Sequence, residues 1–125
     1  MSELRALLAA ARARIDRYTP EEAQRAVAAG AVLVDIRPID QRQATGEIPG
    51  ALLIPRNVLE WRLEPGGPHR HPQAPGPDAV VIVVCQSGYQ SSLAAATLRD
   101  IGVVRAGDLD GGVEAWRGAG LPLAR

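Results

Sequence analysis

Cys85 is the only cysteine in the chain, so neither an intramolecular disulfide nor a multi-thiolate metal site can form around it. It directly follows the apolar run Val80-Val81-Ile82-Val83-Val84 and opens the polar stretch Gln86-Ser87-Gly88-Tyr89-Gln90. That stretch leads into a helix opened by Ser91 and Ser92. Open parallel sheets bind ligands at such points, beyond the carboxyl end of a strand and in front of the next helix's amides. Gly88 permits tight winding, and backbone N–H groups converging on one centre form an anion nest that stabilises a thiolate. A lone cysteine is usually inert core; the polar, glycine-bearing loop argues here for a reactive one.

Two arginines stand in comparable places. Arg37 follows the run Val32-Leu33-Val34-Asp35-Ile36, and Arg56 follows the shorter run at 51–54, so both are expected on the rim of such a site. Either could aim a guanidinium at a bound anion. The competing role for Arg37 is a structural ion pair with Asp35 or Asp40, and for Arg56 a surface pair or plain solvation. His69 and His71 have the spacing of a weak metal pair, but no third histidine or nearby cysteine joins them. They read as solvated loop residues, and no metal is assigned.

The elements that must position these residues follow from periodicity and punctuation. Leu4, Leu7, Leu8, Ala11 and Ile15 make one apolar stripe, which predicts an amphipathic helix over 2–17. We treat residues 1–17 as a helical extension that either docks on the domain or forms a homodimer or partner contact. Thr19, Pro20 and Glu22 make a capping box with proline at the first helical position, and Gly30 closes a helix over 20–29. Strands are expected at 32–36, 51–54, 79–84 and 103–106, with 79–84 central, and helices at 91–101 and 113–118. Residues 65–77 hold five of the ten prolines and are expected to be a mobile surface loop. Trp116 reads as a core anchor of the last helix, and Trp61 as either core or pocket wall. Strands alternating with helices define an α/β domain with a mainly parallel sheet and helices on both faces.

Composition narrows the function classes. A chain of 125 residues with 46% hydrophobic and 22% charged residues supports one folded domain. The 14 basic and 14 acidic residues cancel, so no net field points to nucleic acid or an anionic membrane. Every basic residue is arginine, which excludes Schiff-base and P-loop lysines. No apolar run is long enough to span a bilayer, and Arg5, Arg12 and Arg14 interrupt the N-terminal stretch. With a single thiol, the expected location is the cytoplasm.

Four ordered segments carry a family resemblance. Cys85-Gln86-Ser87-Gly88-Tyr89-Gln90-Ser91 resembles the active loop of the rhodanese (sulfurtransferase) family, and Leu33-Val34-Asp35-Ile36-Arg37 its first-strand signature. Gly46-Glu47-Ile48-Pro49-Gly50-Ala51 is similar to the family's Gly-His-Ile-Pro-Gly-Ala turn. Leu109-Asp110-Gly111-Gly112, Ala115-Trp116 and Gly120-Leu121-Pro122 resemble its closing elements. The resemblance covers roughly 18–123, and residues 18–125 are assigned to a rhodanese-like domain. It implies a twisted five-stranded parallel sheet and sulfur transfer through a Cys85 persulfide, without cofactor or metal. The donor would be thiosulfate or another persulfide, and the acceptor a thiol or a cyanide-like group.

The resemblance also assigns Gln86, Ser87, Gly88, Tyr89, Gln90 and Ser91 to the active loop, with Asp35 as a structural neighbour. Ser87 and Ser91 are placed to hydrogen-bond a persulfide or to stabilise the loop and helix start. The pattern departs from many active rhodaneses at Gln90, where they have arginine, and at Glu47, where histidine is usual. Gln86 replaces a frequently basic residue, so the loop has no formal charge beyond the thiolate, and Tyr89 adds a phenol. Two other functions stay open: a low-turnover sulfur-relay or protein-binding module, and a phosphatase or arsenate reductase of a related fold.

Overall fold

In the computed structural model, which describes residues 2–125, the site is organised by β4 (Val81–Val84), whose four residues are all buried. Its side chains alternate between two apolar layers, as a strand buried on both faces requires. Val81, Val83 and the following Cys85 enter one layer with Val34, Ile54, Leu59 and Leu98. Ile82 and Val84 enter the other with Leu33, Leu109, Val113 and Trp116. β4 is the middle strand of five, in the order β1-β5-β4-β2-β3, and every pairing is parallel. The flanking strands are β1 (Asp16–Tyr18), β2 (Val32–Asp35), β3 (Leu52–Leu53) and β5 (Ala106–Leu109).

Helices cover both faces. α4 (Leu59–Leu63) and α5 (Gln90–Asp100) fill the first layer, with α1 (Glu3–Arg12) packed on α5. α2 (Pro20–Ala28) and α6 (Gly112–Gly118) fill the second, while α3 (Ile39–Thr45) joins β2 to β3. The capping box forms as expected: Glu22 N–H donates to Thr19 Oγ1 at 3.2 Å, and Thr19 N–H donates to Glu22 Oε1 at 2.9 Å. Trp116 is buried and donates Nε1–H to the Pro122 carbonyl at 2.8 Å, the anchor expected of it.

The sequence expectation included neither α3 nor α4, and two further elements differ from it. The N-terminal helix stops at Arg12, and residues 16–18 form the edge strand β1 instead of continuing the helix. Their side chains have no strong apolar alternation, so the strand is specified by main-chain pairing to Gly107–Leu109. Gly107 permits it, because a Cβ there would collide with the Asp16 carbonyl. The fourth expected strand, 103–106, is displaced to Ala106–Leu109. Val103 N–H instead closes the end of α5 on the Leu98 carbonyl, at 3.0 Å, and its side chain plugs the core.

The proline-rich 65–77 loop is crossed by Arg70, which donates to the carbonyls of Leu63, Glu64 and Pro75. His71 Nδ1 accepts from Gln73 N–H there, a turn-holding contact. Trp61 neither enters the core nor walls the pocket around Cys85; it is exposed on α4 because its ring faces outward beside Glu60 and Glu64. Among the described residues, no helix is long and apolar enough to cross a membrane.

Candidate active site

Cys85 directly follows the central strand, and the residue is 6% exposed at the floor of a pocket of about 330 Å³. The loop beyond it winds back over the sulfur: Sγ accepts hydrogen bonds from Gly88 N–H at 3.2 Å and Ser91 N–H at 3.3 Å. Two glycines make that winding feasible. Gly88 has φ +86, and a Cβ there would lie 2.7 Å from Gly111 N. Gly112 has φ +63, and a Cβ there would lie 2.5 Å from the Cys85 carbonyl oxygen. The first amides of α6 use that close approach, with Val113 N–H donating to Cys85 O at 3.0 Å and Glu114 N–H to Gln86 O at 3.1 Å. The carbonyls of Cys85 and Gln86 are thus drawn toward α6 while the amides of Gly88 and Ser91 meet the sulfur.

The pocket lies between the carboxyl ends of β2 and β4, walled by Ile36, Arg37, Pro38, Gln41, Arg56 and the loop residues Gln86, Ser87, Tyr89 and Gln90. This is the switch point of the sheet, since β2 runs on to β3 on one side and β4 to β5 on the other. Ser87, Tyr89 and Gln90 are exposed on its rim. The Ser91 hydroxyl turns away from the sulfur and donates to Asp108 Oδ2 at 2.8 Å, so Ser91 meets Cys85 through its amide alone.

The two candidate rim arginines have different fates. Arg37 has a fully buried side chain: Nε and Nη2 grip Asp35, at 3.0 Å and 2.8 Å to Oδ1 and Oδ2, and Nη2 also reaches the Gly46 carbonyl at 2.8 Å. Its Nη1 donates to Gln86 Oε1 at 3.1 Å. Arg37 is therefore a brace between β2 and the loop, and it also lines the pocket, where one Nη1 hydrogen has no protein acceptor among the described residues. Arg56 pairs through Nη1 with both oxygens of Glu60, at 3.0 Å and 2.9 Å, and its Nη2 has no protein acceptor among the described residues. Its Nε is buried without a hydrogen-bond partner.

Three residues of the site lay outside the sequence reading. Asp108 is a fully buried carboxylate in β5 that accepts from Ser91 Oγ, Ser92 Oγ and Arg17 Nε. Arg17 also donates to the Gly88 carbonyl at 3.0 Å, and Arg12 does the same at 2.8 Å. Burial opposes the charge on Arg17, yet its bond to Asp108 and the negative charges of Asp108, Asp110 and Cys85 raise its pKa above the ordinary value. Nothing in the spacing marked Asp108, which lies between Arg105 and Asp110 in the sequence, or Arg12 or Arg17.

The sequence model of the Rhodanese-like domain matches residues 19–119. The chain belongs to the rhodanese-like family. A thiosulfate sulfurtransferase GlpE from Pseudomonas fluorescens is 40% identical over 103 residues, covering 81% of this chain and 84% of that protein. A sulfurtransferase from Allochromatium vinosum is 37% identical, covering 74% and 77%. Among solved structures, a Rhodopseudomonas palustris protein of unknown function, titled a possible tyrosine phosphatase, superposes with TM-score 0.86 at 32% identity, over 98% of this chain and 95% of that one.

Against that rhodanese frame, Glu47 at the usual histidine position supports the turn after α3. It pairs with Arg42 at 2.7 Å and bridges to Ala124 through the main chain. Gln86 Nε2 donates to Thr45 Oγ1 at 3.0 Å, so this neutral loop residue also ties the loop to α3. Gln90 is exposed at the start of α5. No residue between Gln86 and Ser91 is basic, so the cations of the pocket wall among the described residues are Arg37, with one Nη1 hydrogen unpaired, and Arg56, whose Nε and Nη2 are both without a partner.

Proposed function

We propose that this rhodanese transfers sulfane sulfur through a persulfide on Cys85, from thiosulfate or a small persulfide to a thiol or cyanide-like acceptor. The supporting observation is the Cys85 sulfur at the pocket floor with two loop amides donating to it. In the first half-reaction the Cys85 thiolate attacks the outer sulfur of thiosulfate. A sulfur–sulfur bond forms to Cys85, the donor's sulfur–sulfur bond breaks, and sulfite leaves with the electron pair. The persulfide anion lies among loop N–H groups, which stabilise its charge where no metal is needed. In the second half-reaction an acceptor thiolate or cyanide attacks the terminal sulfur and Cys85 leaves as thiolate. Ser87, Tyr89 and Gln90 line the mouth through which both partners pass, and Asp35 and Arg37 support the loop through Gln86.

Arg56 is the residue we assign to the donor's negative charge. A buried guanidinium N–H without an acceptor costs roughly 1–3 kcal/mol, and swinging Arg56 toward an anion on that wall recovers it. Phosphoryl transfer fits this site poorly, because the loop supplies no arginine to grip a tetrahedral oxyanion. The lone thiol suits a reducing compartment, and we place the reaction in the cytoplasm. A homodimer through α1 is a further proposal, supported by the exposed Leu4 and Leu7, and sedimentation of the full chain tests it.

The experiment for the reaction is intact mass after incubation with thiosulfate or with a small persulfide, beside a Cys85→Ser control. One added sulfur atom on wild type and none on the variant is the expected result. Wild type that no donor loads would replace this reading with that of a relay or binding module.

A further inference from the structure

The Gly88 carbonyl, at the back of the active loop, is held by two guanidinium groups from one N-terminal segment: Arg12 Nη2 at 2.8 Å and Arg17 Nη2 at 3.0 Å. Both arginines precede the 19–119 segment that matches the family model, Arg12 at the end of α1 and Arg17 in the edge strand β1. In a trans peptide the carbonyl and the following N–H point in opposite directions. With Gly88 O turned out toward the arginines, the N–H of Tyr89 is turned the other way, and among the described residues it has no acceptor.

Arg17 reaches the sulfur by a second route. It grips Asp108, which fixes the hydroxyls of Ser91 and Ser92, and Ser91 N–H is one of the two donors to Cys85 Sγ. Arg12 adds a bond from Nε to Ser92 Oγ at 3.1 Å, and its guanidinium lies 5.5 Å from the centre of the Tyr89 ring. Two cations therefore bear on the peptide that follows Gly88, in a loop with no basic residue of its own. Cations on a carbonyl polarise the peptide and strengthen its N–H as a donor.

We propose that Arg12 and Arg17 are positioning residues for sulfur transfer: they hold the Gly88–Tyr89 peptide carbonyl-outward so that its N–H, with those of Gly88 and Ser91, faces the Cys85 persulfide. The inference rests on the sulfur-transfer reading. The chemical steps are those already written, and the arginines exchange no atoms with the substrate.

Arg12 gives the cleaner test, since removing Arg17 strands the buried Asp108 carboxylate and endangers folding. The full-length protein and its Arg12→Met, Arg12→Lys and Arg17→Lys variants are compared in steady-state transfer from thiosulfate to a thiol, with intact mass following single-sulfur loading. Arg12→Met should lower kcat about tenfold, the scale of one charge-assisted hydrogen bond, with KM for thiosulfate within about twofold. Arg12→Lys should restore most of the loss, and Arg17→Lys, which keeps the charge, should stay within about twofold of wild type. An unchanged kcat in Arg12→Met overturns the inference while sulfur transfer stands. So does a loss that Arg12→Lys fails to rescue and that tracks a lower Tm, since that marks a packing role for α1. Wild type that takes no sulfur overturns both.

Discussion

β2 and β3 lie side by side in the sheet, and each is followed closely by an arginine at its carboxyl end, Arg37 and Arg56. At β2 the last strand residue is Asp35, 1% exposed, and Arg37 folds back onto it with its side chain out of solvent. At β3 the last residue is Leu53, so no carboxylate lies inside the strand to capture Arg56. The partner of Arg56 is Glu60, four residues on and itself partly exposed. The lesson is that proximity to a strand end does not decide whether a cation binds ligand. Both arginines line the pocket, but a carboxylate inside the sheet holds Arg37 as a brace with one hydrogen to spare, whereas a helix carboxylate at the surface leaves Nε and Nη2 of Arg56 unpaired among the described residues.

Breaking the buried pair should have the largest effect. Arg37→Met leaves Asp35 charged and unpaired in the core, at a cost of about 3–5 kcal/mol, a large part of the 5–15 kcal/mol that holds a domain of this size. Calorimetry should show a fall in Tm of ten degrees or more. The double variant with Asp35→Asn should regain part of it. A melting temperature near wild type in the single variant would mean that the Asp35 pair carries little of the fold.

The Arg56 side of the comparison should appear in kinetics instead of stability. Arg56→Gln is expected to raise KM for thiosulfate about tenfold with kcat nearly unchanged, the signature of lost anion binding. Glu60→Gln sharpens the contrast, because it releases Arg56 from its pair and should lower the same KM by about twofold. Equal KM values across the three proteins would remove Arg56 from donor recognition.

Much of this was legible in the chain because local rules and packing agree there. The run at 79–84 reads as a buried strand, and β4 forms within it over Val81–Val84 with its side chains entering both layers. The capping box at Thr19 and Glu22 specifies its own helix start. Gly88 and Gly112 stand where the backbones of loop and α6 approach too closely for a side chain, and a Cβ at Gly111 would meet Ala115. β5 was misplaced because its Ala-Gly-Asp-Leu spelling has little strand character. Those residues answer to distant partners: Gly107 to the backbone of β1, and Asp108 to Arg17, Ser91 and Ser92. The arginines on Gly88 were hidden for the same reason, being more than seventy residues away in sequence.

A third ion pair completes the series from buried to open. Arg14 and Asp100 join α1's far end to α5 at 2.6 Å with both side chains about half exposed. The hydrogen bond from Arg14, followed by its charge, holds the Asp100 carboxyl below its ordinary value of 3.8. A depressed carboxylate stabilises the fold above that ordinary value, and the contribution disappears as pH falls through the lower folded-state value. Asp100→Asn should therefore lower Tm slightly at pH 7, and the gap between variant and wild type should close on acidification below about pH 4. Added salt should shrink the gap at pH 7, because water and ions reach both partners. A gap that is large, salt-independent and unchanged in acid would place this pair with Arg37 and Asp35, and exposure would then be a poor guide to what an ion pair contributes here.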